Sequence, residues 1–85
     1  MAKINIYSTL FCPYCVRAKM LLEQKGVEYN EIRVDTDQAR RKEMMELSGR
    51  TSVPQIFIDD DHIGGCDELY QLEAQGSLDE KLGLG

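Results

Sequence analysis

The 85 residues are enough for one small domain, 1–85, and its 42% hydrophobic content can fill a modest core. The formal charge is 10 − 15 = −5, and the run Arg40, Arg41, Lys42 sits among Asp35, Asp37, Glu43 and Glu46 as a solvated helix face would. That balance argues against nucleic acid and anionic membranes as partners.

No apolar run approaches the ~20 residues of a membrane span, and "MAKINIYS" lacks the apolar stretch of a signal peptide. The expectation is a protein of the reducing cytoplasm. Its 3 cysteines are an odd number that fits a disulfide framework poorly.

In chain order, "KINIYS" alternates Ile4 and Ile6 with polar neighbours, as a half-buried strand does. "PYCVRAKMLLEQK" sets Cys15, Ala18 and Leu22 at i, i+3 and i+7 with Leu21 beside them. That pattern predicts a helix with one apolar stripe, ended by Gly26. "VEYNEIRVD" returns to strand, its apolar residues Val27, Tyr29, Ile32 and Val34 slipping once out of alternation. "DQARRKEMMELS" is a second helix stopped by Gly49, with Met44 and Leu47 expected inward.

"QIFIDDDHIGG" predicts a hairpin: Ile56 and Ile58 on one strand, an acidic turn from Asp59 to Asp61, and a short strand around Ile63. His62 is expected to be an exposed turn residue. "CDELYQLEAQ" is a third helix stopped by Gly76, with a short helix in "LDEKL" after it. The order βαβαββα predicts an α/β fold: a mixed four-stranded sheet flanked by helices, with parallel crossovers and an antiparallel edge from the hairpin.

Cys12 and Cys15, in "FCPYCVRAK", have the spacing used by structural disulfides, metal half-sites and redox thiol pairs. Pro13 suits the first position of a helix, so Cys12 falls at the helix start, facing free backbone N–H groups and the positive end of the helix dipole. Such placement favours thiolate over thiol and makes a nucleophile. Cys15 shares the apolar stripe and is expected to be the shielded partner. Cys12, Cys15, His62 and Cys66 would formally compose a Cys3His zinc set, but a helix beginning between the two sulfurs is unlike a flexible zinc knuckle.

C-P-Y-C after a strand, T-S-V-P before another and G-G-C-D opening the last helix together resemble a dithiol glutaredoxin of the small bacterial type, over essentially the whole chain. The resemblance implies the thioredoxin-like fold and a glutathione-dependent thiol–disulfide oxidoreductase. It implies that Cys12 is the nucleophile on protein–glutathione mixed disulfides and Cys15 the resolving thiol for protein disulfides. Pro54 matches the family's cis-proline, and Val53 presents its backbone to the cysteinyl unit of glutathione. Gly65, Cys66 and Asp67 match the loop that receives the γ-glutamyl end, where a helix start suits a carboxylate and Asp67 can pair with the ammonium. Without the family, Asp67 reads as a helix cap. Tyr14 and Ser52 border the same site. Glutathione is then the co-substrate with no tightly bound cofactor or metal. The partners are glutathionylated and disulfide-containing proteins, and the protein is a monomer.

One position departs from the pattern. Many relatives carry lysine three residues before the first cysteine, where this chain has Thr9. Arg40, Arg41 or Arg50 could supply the missing charge from another segment; otherwise activation of Cys12 depends on the helix start alone. Two other readings use the same fold. One is a redoxin driven by thioredoxin reductase, which G-G-C-D disfavours. The other is an iron–sulfur cluster carrier, which the stiff Pro13 disfavours.

Overall fold

The computed structural model describes residues 2–84. The elements are β1 (Ile4–Ser8), α1 (Pro13–Gln24), β2 (Asn30–Arg33), α2 (Gln38–Ser48), β3 (Gln55–Ile58), β4 (Asp61–Gly64), α3 (Cys66–Ala74) and α4 (Leu78–Lys81). The four strands form one sheet in the order β2-β1-β3-β4. This is the mixed, helix-flanked sheet expected from the sequence.

The direction of one strand was not expected. β1 and β2 are parallel, with Ile6 opposite Glu31, but β3 runs antiparallel to β1, with Ile6 opposite Ile56. The connection through α2 therefore returns an antiparallel strand instead of completing a second parallel crossover. A helix between two strands brings the chain back to the sheet; it leaves the direction of entry to the packing.

Strand alternation feeds two cores, one on each face of the sheet. Ile4, Ile6, Ile56 and Ile58 pack with Ala18 and Leu22 of α1 and Leu69 of α3. The other face holds Tyr7 and Phe57 against Met44 of α2 and Val34. The slip in "VEYNEIRVD" has its explanation in this division. Val27 and Tyr29 pack against the first core, whereas Ile32 and Val34 belong with the second.

Local signals set the helix ends. Pro13 occupies the first turn of α1, and Gly26 follows its end at φ 71°. The Asp37 carboxylate accepts from the Arg40 N–H at 3.2 Å to cap α2. Met44 is fully buried as expected, but Leu47 is 58% exposed. Only a narrow stripe of this polar helix meets the sheet, and Met44 fills it. In the hairpin, Asp59 and Asp60 take φ of 51° and 69°, and Asp61 pairs with Ile58 on β4 instead of extending the turn. Two successive left-handed residues match the twist of a tight hairpin, and Asp tolerates that region better than most side chains.

Candidate active site

Cys12 caps the start of α1 in extended conformation (φ −98°, ψ 115°), with Pro13 directly inside the helix. β1 thus delivers the chain through Thr9–Phe11 so that the Cys12 sulfur sits at the positive end of the helix. The sulfur is half-buried and lies 3.9 Å from the Val53 carbonyl oxygen, across 41 residues of sequence. Cys15, one turn further on, is fully buried behind the Cys12 side chain. Burial pushes the Cys15 thiol far up, outweighing a backbone bond from Thr9 and the charge of Lys19. All three cysteines are unbridged. The pair therefore consists of an accessible sulfur and a shielded, protonated neighbour in contact with it.

Opposite Cys12, the Val53–Pro54 bond is cis, as the resemblance implied, and Pro54 is buried. The start of α3 comes against this turn: a Cβ on Gly65 would lie 3.2 Å from the Pro54 carbonyl oxygen. Gly64 has φ 118°, and a Cβ there would run into the Glu68 side chain. Two glycines in succession allow the approach of α3.

Between these segments is a cleft of about 180 Å³ lined by Tyr14, Ser52, Val53, Pro54, Gly65, Cys66 and Asp67, together with Arg50 and Glu68. Every residue assigned to the site by resemblance, apart from the two motif cysteines, meets in this one depression. Wider hollows occur elsewhere, including one of about 570 Å³ beside Tyr7 and Arg40, but no cysteine lines it.

Tyr14 is 54% exposed at the mouth of the cleft. Cys66 is buried, and burial raises its thiol pKa although Arg17 opposes the shift. Asp67 is exposed on the first turn of α3 and makes no side-chain hydrogen bond among the described residues. The capping role that its position suggested belongs to Glu68, whose Oε1 accepts from the Gly65 N–H at 2.9 Å and from Arg50 Nη1 at 2.6 Å. These two bonds hold the Glu68 carboxyl below its ordinary range. The G-x-x-E spacing of a helix start was the signal for this cap.

Of the three arginines proposed to replace the family lysine, only Arg50 lines the cleft. Arg40 pairs with Glu43 at 3.0 Å, and Arg41 donates to the Thr51 carbonyl at 3.3 Å. His62 is not a turn residue. It lies on β4 opposite Phe57, its ring 5.0 Å from the Phe57 ring and its Nε2 2.6 Å from Gln55 Oε1. Burial, followed by the charge of Arg50, lowers the His62 pKa. Among the described residues no group of three or more potential metal ligands converges.

The Glutaredoxin family model matches residues 4–63. Glutaredoxin 3 of Escherichia coli K12 is 57% identical over 82 residues, covering 96% of this chain and 99% of its own. A solution structure of glutaredoxin from Brucella melitensis superposes with a TM-score of 0.86 at 52% identity, covering 100% of this chain and 92% of that one. A buckwheat glutaredoxin–glutathione complex gives 0.89 at 32% identity, over 96% of this chain and 77% of that one.

Proposed function

The chain belongs to the glutaredoxin family, and from that premise we propose how its own residues carry out the family's reaction. The protein is a glutathione-dependent thiol–disulfide oxidoreductase. Glutathione lies in the cleft with its peptide backbone along Val53, its γ-glutamyl end at Gly65, Cys66 and Asp67, and its glycine carboxylate toward Arg50. Tyr14 and Ser52 border it.

The Cys12 thiolate attacks the glutathione sulfur of a protein–glutathione mixed disulfide. A Cys12–glutathione disulfide forms, and the substrate's sulfur leaves with the bonding electron pair and takes a proton. A second glutathione thiolate then attacks the bound glutathione sulfur, releasing glutathione disulfide and restoring Cys12. On a protein disulfide, Cys12 forms the mixed bond and Cys15 resolves it. That step leaves a Cys12–Cys15 disulfide and a reduced substrate.

Burial keeps Cys15 protonated in the resting enzyme, so it does not compete with Cys12 for the first attack. A potential near the family's roughly −200 to −230 mV lets the glutathione pool return the electrons. Electrons come from glutathione as co-substrate, so this route needs no resident cofactor. The protein works as a monomer in the reducing cytoplasm.

The observation that supports this reading is the meeting of Tyr14, the 52–54 turn and the 65–67 helix start in one cleft, with Val53 against the Cys12 sulfur. The test is reduction of a glutathionylated peptide coupled through glutathione reductase to NADPH consumption. Cys12→Ser brings turnover to background. A variant retaining a large fraction of wild-type turnover overturns the assignment of Cys12.

A further inference from the structure

Gln55 begins β3 directly after Pro54, and its side chain is completely buried. Glutamine is mostly a surface residue, and a buried amide needs partners. Gln55 Nε2 donates to the Ser52 carbonyl oxygen at 3.0 Å and approaches the Ser52 hydroxyl at 3.4 Å. Its Oε1 lies 2.6 Å from His62 Nε2. An amide oxygen only accepts, so Nε2 of His62 carries the hydrogen and donates. Among the described residues no buried side-chain nitrogen or oxygen is left without a partner.

The two ends of this bridge differ in rigidity. His62 is held by strand pairing opposite Phe57, and its ring packs on the Phe57 ring, which in turn meets Tyr7 edge-on at 5.7 Å. Gln55 is the diagonal neighbour of His62 on the same face of the sheet, within reach of a long side chain. At the other end, residues 51–54 belong to no strand or helix. The Gln55 amide ties that irregular segment to the sheet.

We infer that Gln55, anchored by His62, is a positioning residue that fixes the Ser52–Val53 edge for glutathione beside Cys12. Neither side chain lines the cleft. Both act through the backbone of Ser52 and Val53, whose carbonyl oxygen is 3.9 Å from the Cys12 sulfur. The inference rests on the placement of glutathione proposed above.

Gln55→Glu tests it. The change keeps the shape and the acceptor for His62, but it sets a carboxylate oxygen against the Ser52 carbonyl where an N–H had been. The expected result is a rise of about two- to tenfold in KM for a glutathionylated peptide, the effect of one lost hydrogen bond. The kcat at saturation stays within about twofold, because Cys12 and its helix are untouched. Dithiothreitol-driven reduction of a disulfide without a glutathione moiety also stays within that margin.

His62→Leu removes the anchor from a more exposed position and moves KM in the same direction, so the test survives if Gln55→Glu fails to fold. His62→Gln restores an N–H donor and brings KM back toward wild type. An unchanged KM in both Gln55→Glu and His62→Leu overturns the inference, as does an equal fall in both assays. Wild-type protein that fails on the glutathionylated peptide would instead sink the glutathione reading itself.

Discussion

Replacing Asp67 by Asn tests the amino end of the proposed glutathione site with little disturbance of the fold. Asp67 is exposed, lies in the first turn of α3 and has no side-chain hydrogen bond among the described residues. The helix is capped instead by Glu68, bonded to the Gly65 N–H. An exposed ion pair with the ammonium of glutathione is worth ~0.2–1 kcal/mol, which converts to a rise of about 1.4- to 5-fold in KM. The substitution also removes a negative charge from a helix N-terminus, at a cost of ~0.3–1 kcal/mol. For a domain of this size that lowers Tm by about 1–8 °C.

Glu68→Ala is the contrasting control. It strips the Gly65 N–H and Arg50 of their shared partner and costs ~1–3 kcal/mol, so its main effect is on Tm. The assay is the coupled turnover of a glutathionylated peptide at several peptide concentrations, with melting of each variant in the same buffer. Salt supplies a second check. At 1 M the screening length falls to ~3 Å, so wild-type KM should approach that of Asp67→Asn. If Asp67→Asn melts as early as Glu68→Ala with KM unchanged, Asp67 stabilises the helix and the ammonium binds elsewhere.

Cys15→Ser should keep deglutathionylation, since a second glutathione resolves the Cys12 intermediate, while reduction of protein disulfides by the two-thiol route is lost. Equal losses in the two assays would refute the division of labour. Tyr7 and Tyr29 carry phenols pushed up to about 12, each first by burial and then by a hydrogen bond to a carboxylate, Glu43 and Glu23 respectively. A folded pKa above the ordinary tyrosine value of 10.0 means that their contribution is intact below that pH and is lost as pH rises through about 12. Phenolate absorbance followed against pH should show these two ionising late in folded protein. Ionisation at the ordinary tyrosine pH while the fold persists would contradict the burial argument.

The residues surrounding the chemistry were largely readable from the chain alone, because they express local physics. Pro13 marks a helix start and so places Cys12 at its positive end. Gly26 and Gly49 end helices, and the spacing of Cys15, Ala18 and Leu22 predicts the buried stripe that shields the second sulfur. The motifs quoted from separate parts of the chain also named Tyr14, Ser52, Val53, Pro54, Gly65, Cys66 and Asp67, which line one cleft together with Arg50 and Glu68.

What local pattern did not encode was how distant segments pack. Nothing in "DQARRKEMMELS" distinguishes Leu47 from Met44 until the sheet admits only one of them. A crossover helix is compatible with either strand direction, so the antiparallel entry of β3 beside β1 emerged only with the assembled sheet. The same holds for Arg50 beside Glu68, His62 beside Gln55, and the Cys12 sulfur beside the Val53 carbonyl, pairs separated by 18, 7 and 41 residues. Hydrophobic periodicity states which side of an element is buried and turn residues state where it ends. Which polar atoms then meet across the elements depends on the close packing of both cores, and that exists only in the folded molecule.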